Sequence, residues 1–349
     1  MQNKILVIGH KGYVGTILIR YLKNINKYKF SINGIDTNLF SLNNYNKYKK
    51  LSISNINLDC RKINLSKLPF KPNIIIYLAA VSNDPMGRNF KVATNDINYL
   101  NCIKLAKQAK ELGVEKFIFA SSCSMYGSSG NALKKEGDKL QPLTDYAKSK
   151  VNSEKKLSKI ASKDFKVISL RFATAAGLSD NLRLDLVFND FIANATLKRE
   201  IELLSSGSSW RPLIHVKDMA KAFHWAADYK MRQNFLAVNI GSDNWNFRII
   251  DLAKKISKII KNVNIKINDG NVDKRSYRVD FSLFKKIAPK YQPSMKFNTA
   301  VRELEFFFKK QKSTLKNFRN SPKWSRLSRL NNLIKKKKIN KKLYWIKKK

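Results

Sequence analysis

At 349 residues with 43% hydrophobic content, the chain can bury a substantial core as one large α/β domain or two smaller ones. Its 69 Lys and Arg against 25 Asp and Glu give a formal net charge of +44, a surface that attracts nucleotide diphosphates, nucleic acid and anionic membranes but says little about fold. Cys60, Cys102 and Cys123 are too few for a disulfide framework and follow no metal-ligand spacing, and no apolar run reaches 18 residues, which argues against a disulfide scaffold, a metal centre and a membrane-spanning helix.

Residues 4–8 read as a short strand entered directly from the N-terminus, so the expectation is a cytoplasmic protein with no signal peptide. The turn Gly9-His-Lys-Gly12-Tyr13-Val14-Gly15 leads into a helix reaching about residue 22. Gly9 suits a tight turn, Gly12 close backbone approach to a pyrophosphate, and Gly15 close helix–strand packing, with the helix N-terminus facing the anion. The next strand, 30–35, ends in Asp36, whose carboxylate suits the hydroxyls of an adenosine ribose and repels a 2′-phosphate. Thr37 and Asn38 add no cation, so NAD is favoured over NADP. Residues 38–52 read as a surface connection. The buried strand at 73–80 ends in Ala79 and Ala80, small enough to lie against the cofactor, and a loop at 81–87 follows over the site. A helical pattern runs from 96 to 112 and stops at Gly113.

The apolar run from Lys116 ends in Phe-Ala-Ser-Ser-Cys-Ser-Met-Tyr-Gly127, placing small hydroxyl residues at the C-terminal edge of a parallel strand, where such sheets bind ligands. Tyr146 and Lys150 are four apart on one face of a helix spanning 146–160. An ammonium beside a phenol, helped by the positive ring of a nicotinamide, should lower the phenol pKa and poise Tyr146 as a general acid/base, with Ser122 holding the substrate oxygen. Alone, a Tyr-x-x-x-Lys pair reads as the polar face of a helix. The serine-rich strand end and the glycine turn change that reading. Cys123 has no nearby His to activate it and reads as a packing residue. Beyond, strands are expected at 166–171 and 235–241 and helices at 219–229 and 246–260.

Ser122, Tyr146 and Lys150, with Gly9, Gly12 and Gly15, resemble an extended short-chain dehydrogenase/reductase of the nucleotide-sugar epimerase/dehydratase group, over roughly residues 3 to 310. The resemblance implies a Rossmann-type doubly wound parallel sheet over 1–178 with a return segment near 214–244, and a smaller C-terminal substrate domain from 179–213 and 245–310. It implies tightly bound NAD, a nucleotide-sugar substrate and a homodimer formed through helices 96–112 and 146–160. By likeness, Asp59 and Cys60 contact adenine, Lys150 holds the ribose, and Asn98 braces the active-site strand and helix. Asn189 lies near the substrate diphosphate and Arg211 grips it. Arg275 or Arg278 stands in for a phosphate-binding Arg whose position is taken here by Gly270, in a segment running Asp273 to Asp280. Thr174 replaces a substrate-facing Asn, which leaves the sugar open. His215 and Asp218 read as structural. The implied activity is epimerisation, at C4, through a keto sugar; a nucleotide-sugar dehydrogenase or 4-keto reductase is the nearest alternative, and a basic binding protein with a vestigial site a further one. A 4,6-dehydratase is disfavoured, because Cys123 and Ser124 replace the Asp-Glu pair such enzymes carry there.

Residues 301–349 hold 18 Lys and Arg against 2 Asp and Glu, yet Trp324, Leu327, Leu330, Leu333 and Ile334 recur at helical spacing. The expectation for 311–349 is a basic extension of one or two short helices packed on the body with a solvated charged face. A weak contact with anionic membrane, or a nucleic-acid arm, is the competing reading; no specific nucleic-acid partner is implied.

Overall fold

The computed structural model describes residues 3–25, 30–40, 54–268, 274–311 and 317–346. Most of the expected connection at 38–52, and Gly270 and Asp273 of the late basic loop, lie outside these residues. In chain order, β1 (Asn3–Ile8), α1 (Tyr13–Ile25), β2 (Phe30–Asp36), β3 (Ser54–Asn57) and β4 (Ile74–Tyr77) come first. Then α2 (Asp84–Asn89), α3 (Lys91–Asn95), a π-helical turn (Asp96–Leu100) and α4 (Asn101–Glu111) lead to β5 (Lys116–Ser122). Next are β6 (Ser128–Lys134), α5 (Asp145–Ile160), β7 (Lys166–Phe172), β8 (Thr174–Ala176), α6 (Val187–Lys198), β9 (Glu200–Leu203), β10 (Trp210–His215), α7 (Val216–Asp228) and β11 (Phe235–Ile240). The chain continues through β12 (Asn246–Arg248), α8 (Ile249–Ile259), β13 (Asn264–Ile267), β14 (Ser276–Val279), α9 (Ser282–Ile287), α10 (Phe297–Lys310) and α11 (Arg326–Lys335).

Among the described residues, seven strands form one parallel sheet in the order β11-β7-β5-β4-β1-β2-β3. Strand order reverses beside β1, between β2 and β4, and that switch point opens the crevice in which such sheets bind ligands. Side chains alternate across β1: Ile5 and Val7 join the apolar cluster that holds α1 and α7, whereas Leu6 and Ile8 join the one that holds α4 and α5. Both faces are therefore covered, which is why these strands read as unbroken apolar runs. Smaller sheets (β12-β10-β8, β13-β9 and β14-β6) gather beyond the carboxyl ends of the large one. No helix among the described residues is long and apolar enough to cross a membrane.

Three elements differ from expectation. The segment expected as a helix from 246 begins as β12, pairing antiparallel with Trp210–Pro212, and turns helical only at Ile249. A strand edge on β10 outcompetes the local helical periodicity there. The helix expected from 96 opens with a widened turn around Asn98, whose amide accepts from Val81 N at 2.9 Å and donates to Val81 O and Ser149 Oγ, both at 3.1 Å. Asn98 thus braces the loop after β4 against α5. Finally, Leu343–Ile346 is not helical: Leu343 adopts φ +61°, and Trp345 makes an isolated bridge with Ile339.

Candidate active site

The glycine turn is built as its spacing demands. Gly9 adopts φ +93°, and a Cβ there would lie 2.7 Å from Ala79 N; a Cβ on Gly15 would lie 2.5 Å from Gly9 O. Only glycine permits both the left-handed turn and the backbone contact. Asp36 closes the turn from below: one carboxylate oxygen accepts from Lys11 N at 3.0 Å and the other from Asn38 N at 2.9 Å. Lys11 commits its ammonium to Asn38 Oδ1 at 2.6 Å. The sequence shows no cation after Asp36; the fold brings this one from the glycine turn.

One cavity of about 930 Å³ runs from this turn across the sheet ends. Gly9, Gly12, Tyr13, Val14, Gly15, Asp36, Asp59, Cys60, Ala79 and Ala80 line one part of it, and Ser122, Tyr146, Lys150, Thr174, Arg211 and Arg275 another. Ser122 ends β5, where its Oγ donates to Ser124 Oγ at 2.9 Å and accepts from Ser124 N at 3.2 Å. Tyr146 is the second residue of α5, whose N-terminus is capped by Thr144, Oγ1 accepting from Ala147 N at 3.2 Å. Thr144 in turn donates to Asp84 at 2.5 Å, tying the helix start to the loop after β4. Lys150, one turn on, donates from Nζ to Ala120 O at 2.6 Å and lies 5.6 Å from the Tyr146 ring centre.

Several predicted residues are engaged differently. Asn189 is fully buried and does not line the cavity: its Oδ1 accepts from Gly177 N at 2.8 Å, and its Nδ2 donates to Arg183 O at 2.8 Å and Tyr13 OH at 3.3 Å. All its polar capacity goes to bracing the turn after β8. Asp59 is gripped by Arg61, with Nη2 at 2.6 Å and Nε at 3.0 Å from its two oxygens. Arg211 donates to Trp210 O at 2.7 Å and to Arg275 O, over the ring of Tyr277. Arg275 pairs with Asp84, whereas Arg278 stacks on Trp210 away from the cavity. His215 is buried as the cap of α7, accepting from Lys217 N at 3.2 Å, and Asp218 accepts from Ser294 N and Met295 N at 3.0 and 3.2 Å.

Sequence reasoning missed Arg183 and Asp185. They form a part-buried fork, Nε–Oδ1 2.9 Å and Nη2–Oδ2 2.8 Å, on the cavity wall, and Asn83 donates to the same carboxylate. Arg183-Leu-Asp185 is an i, i+2 pair that marks an extended turn, and no sequence rule assigns it to a cavity.

The profile of the NAD dependent epimerase/dehydratase family matches residues 5–241. The chain belongs to that family. Its relatives include a UDP-glucose 4-epimerase of Rhizobium meliloti, 25% identical over 281 residues covering 74% of this chain and 83% of the relative. A dTDP-4-dehydro-6-deoxyglucose reductase of Escherichia coli is 28% identical over 277 residues, covering 76% and 83%. Among solved structures, a UDP-glucuronic acid 4-epimerase from Bacillus cereus, in complex with UDP-glucuronic acid and NAD, superposes with a TM-score of 0.75 at 21% identity, covering 88% of this chain and 99% of that one.

The residues of this family member fit the dinucleotide. The glycine turn offers backbone with no side chain in front of it, a Cβ on Gly12 would meet only Gly9 O at 3.2 Å, and Asp36 ends the strand beside it. The phenol departs from expectation. Burial pushes Tyr146 up to about 12, opposed first by its hydrogen bond with Ser122; the cation acting on it is Arg183, because Lys150 is turned to Ala120 O. Burial also lowers Lys150 from 10.5 to about 8. The unfolded chain therefore binds that proton more tightly than the folded one, and stability should rise with pH between about 8 and 10.5. Urea denaturation across that window should show the rise flattened in Lys150→Met but not abolished, since Lys116 is lowered to about 8 as well.

Proposed function

We propose that the protein is a nucleotide-diphosphate-sugar epimerase acting at C4. The observation that carries this is the meeting of Ser122, Tyr146 and Lys150 with Arg211 and Arg275 on one cavity that also receives the glycine turn. Tyr146 exchanges a proton with the sugar hydroxyl oxygen, and Ser122 Oγ orients that oxygen. Lys150, anchored on Ala120 O, holds the ribose of the dinucleotide. Arg211 and Arg275 face the diphosphate, a group whose oxygens match the guanidinium fork. Thr174, partly buried on the cavity wall, faces the sugar. NAD, when bound, supplies the acceptor and donor of the hydride, so that the sugar passes through a keto form and turns before reduction. Asn189 serves as a brace rather than a ligand.

A 4,6-elimination lacks its acid and base. The Cys123 thiol is buried, donates to Arg171 O at 3.0 Å, and is held well above its ordinary pKa by burial. Ser124 contributes only a hydroxyl to the cavity. The likeness to the E. coli reductase favours, as a second reading, a 4-keto reductase or dehydrogenase using the same residues with an exchangeable cofactor.

Incubation with UDP-glucose, UDP-glucuronic acid and UDP-N-acetylglucosamine, followed by proton NMR of the sugar and by NADH absorbance, separates the two. The expected result is the C4 epimer of one substrate with no net NADH. Net NADH in step with substrate consumed would replace the epimerase reading by the dehydrogenase one.

A further inference from the structure

The family match ends at residue 241, and the C-terminal segment 317–346 lies outside it. This segment crosses the cavity and is fastened on both sides. On one side Arg319 forks onto Asp190, both contacts at 2.9 Å, and reaches Glu202 at 2.9 Å, while Phe318 and Trp324 are buried. On the other, Leu330, Leu333, Ile339 and Leu343 join the apolar cluster of β1, β2 and β4. Arg329 donates to Leu39 O at 2.5 Å. Arg61, already paired with Asp59, donates to Lys342 O at 2.6 Å and Leu343 O at 3.1 Å under the ring of Tyr344. Trp345 Nε1 donates to Thr37 O at 2.7 Å, beside Asp36.

Between these fastenings Arg326 opens α11 and lines the cavity. It is 9% exposed, lies 4.6 Å from the Phe40 ring centre, and makes one long contact, from Nη1 to Ser82 Oγ at 3.4 Å. Among the described residues its Nε and Nη2 have no partner. The carboxylates near it are already occupied: Asp185 by Arg183, and Asp36 by the backbone of Lys11 and Asn38. Arg183 and Arg326 therefore share one wall of the cavity, and among the described residues no carboxylate is paired directly with the Arg326 fork. Leaving a fork of donors buried and unpaired is costly, and a doubly charged anion is what would satisfy it. Tyr13 of the glycine turn is among the groups that act on Arg326 electrostatically, as is Asp36 of the ribose corner. The anion at that place in this fold is the dinucleotide pyrophosphate.

We propose that Arg326, delivered by the C-terminal segment, clamps the pyrophosphate of NAD against the glycine turn, and that the segment retains the cofactor between turnovers. This rests on the family's use of NAD at the cavity. It gives the basic extension a role other than a solvated surface: its apolar stripe buries, and one of its arginines is spent inside.

The test uses full-length wild type, Arg326→Met, Arg326→Lys and Trp345→Ala. NAD dissociation is followed by chasing bound NADH fluorescence, UDP binding by calorimetry, and melting on NAD-free protein. Arg326→Met should speed NAD release about 10- to 100-fold, the range for one hydrogen bond to a charged group. Arg326→Lys should fall between, since it restores the charge without the fork. UDP affinity should stay within about twofold, and NAD-free Arg326→Met should melt at the same or a higher temperature, because an unpaired buried charge has gone. Trp345→Ala, at the surface end, should speed release about 2- to 10-fold through loss of its fastening, a readout independent of Arg326 folding. Unchanged NAD release in both Arg326→Met and Trp345→Ala would overturn the proposal. So would a fall in UDP affinity in place of NAD affinity, which would put the guanidinium on the substrate diphosphate, or an equal loss of melting temperature with and without NAD, which would make it purely structural. A wild-type chain that takes up no NAD would overturn the cofactor reading along with it.

Discussion

Tyr146→Phe should lower kcat by about 10²- to 10⁴-fold, the span over which a positioned proton donor or acceptor contributes. The change removes one oxygen from a partly buried ring and leaves the helix intact, because the cap of α5 is made by Thr144 and the Lys150 anchor by Ala120 O. Melting temperature and NAD content should therefore stay near wild type while turnover collapses. Ser122→Ala should cost less: it removes the hydrogen bond that opposes the effect of burial on the phenol, but not the proton itself. Steady-state NMR assays of both variants at neutral pH check the order. A Tyr146→Phe protein retaining more than about a tenth of wild-type kcat would remove the phenol from the chemistry.

Arg171→Ala should destabilise the fold by about 3–5 kcal/mol, the largest single-residue loss expected here. Arg171 is the penultimate residue of β7, which pairs with β5. Its Nη2 lies 2.8 Å and its Nε 3.0 Å from Glu154 Oε2 on α5, and Nη1 donates to Tyr126 OH at 3.1 Å and Glu136 O at 2.9 Å. Both charged side chains are under a tenth exposed, 7% and 5%. Truncating the arginine strands the Glu154 carboxylate, left with Ser169 Oγ as its remaining donor at 2.7 Å. Desolvation, no longer offset by a countercharge, dominates the loss. Replacing the pair together, as Arg171→Met with Glu154→Leu, should recover much of it, because no charge is then left buried. Urea midpoints of the three proteins measure this. A single variant costing no more than the double one would show that the pair is not closely coupled. Because Arg171 O also accepts from Cys123 Sγ next to Ser122, the single variant should lose activity as well as stability.

The parallel sheet was legible because strands buried on both faces must be apolar through their middles, and residues 5–8, 74–80 and 117–120 are. The glycine turn was legible for a similar reason: Gly9 and Gly15 occupy places where a Cβ would strike backbone. Asp36 and the Tyr146–Lys150 pair followed from strand length and helix period, both local properties. What local pattern could not decide was the partner of each polar group. Asn189 carries the right atoms to hold a ligand, yet Gly177 N, Arg183 O and Tyr13 OH, 6 to 176 residues away in sequence, take all of them. Lys150 stands one turn from Tyr146, as its spacing requires, but a carbonyl on β5 turns its ammonium aside, so burial sets the phenol pKa. The helical periodicity of 246–248 lost to an open edge on β10, and the basic tail, solvated by composition, placed Arg326 inside the cavity. Periodicity and steric exclusion are written in neighbouring residues, and the sequence by itself determined the sheet, the turn and the helix that carries Tyr146 and Lys150. Charge compensation and desolvation depend on what packs from elsewhere in the chain, and only the tertiary structure decided which of these polar groups are spent on the fold and which still face the cavity.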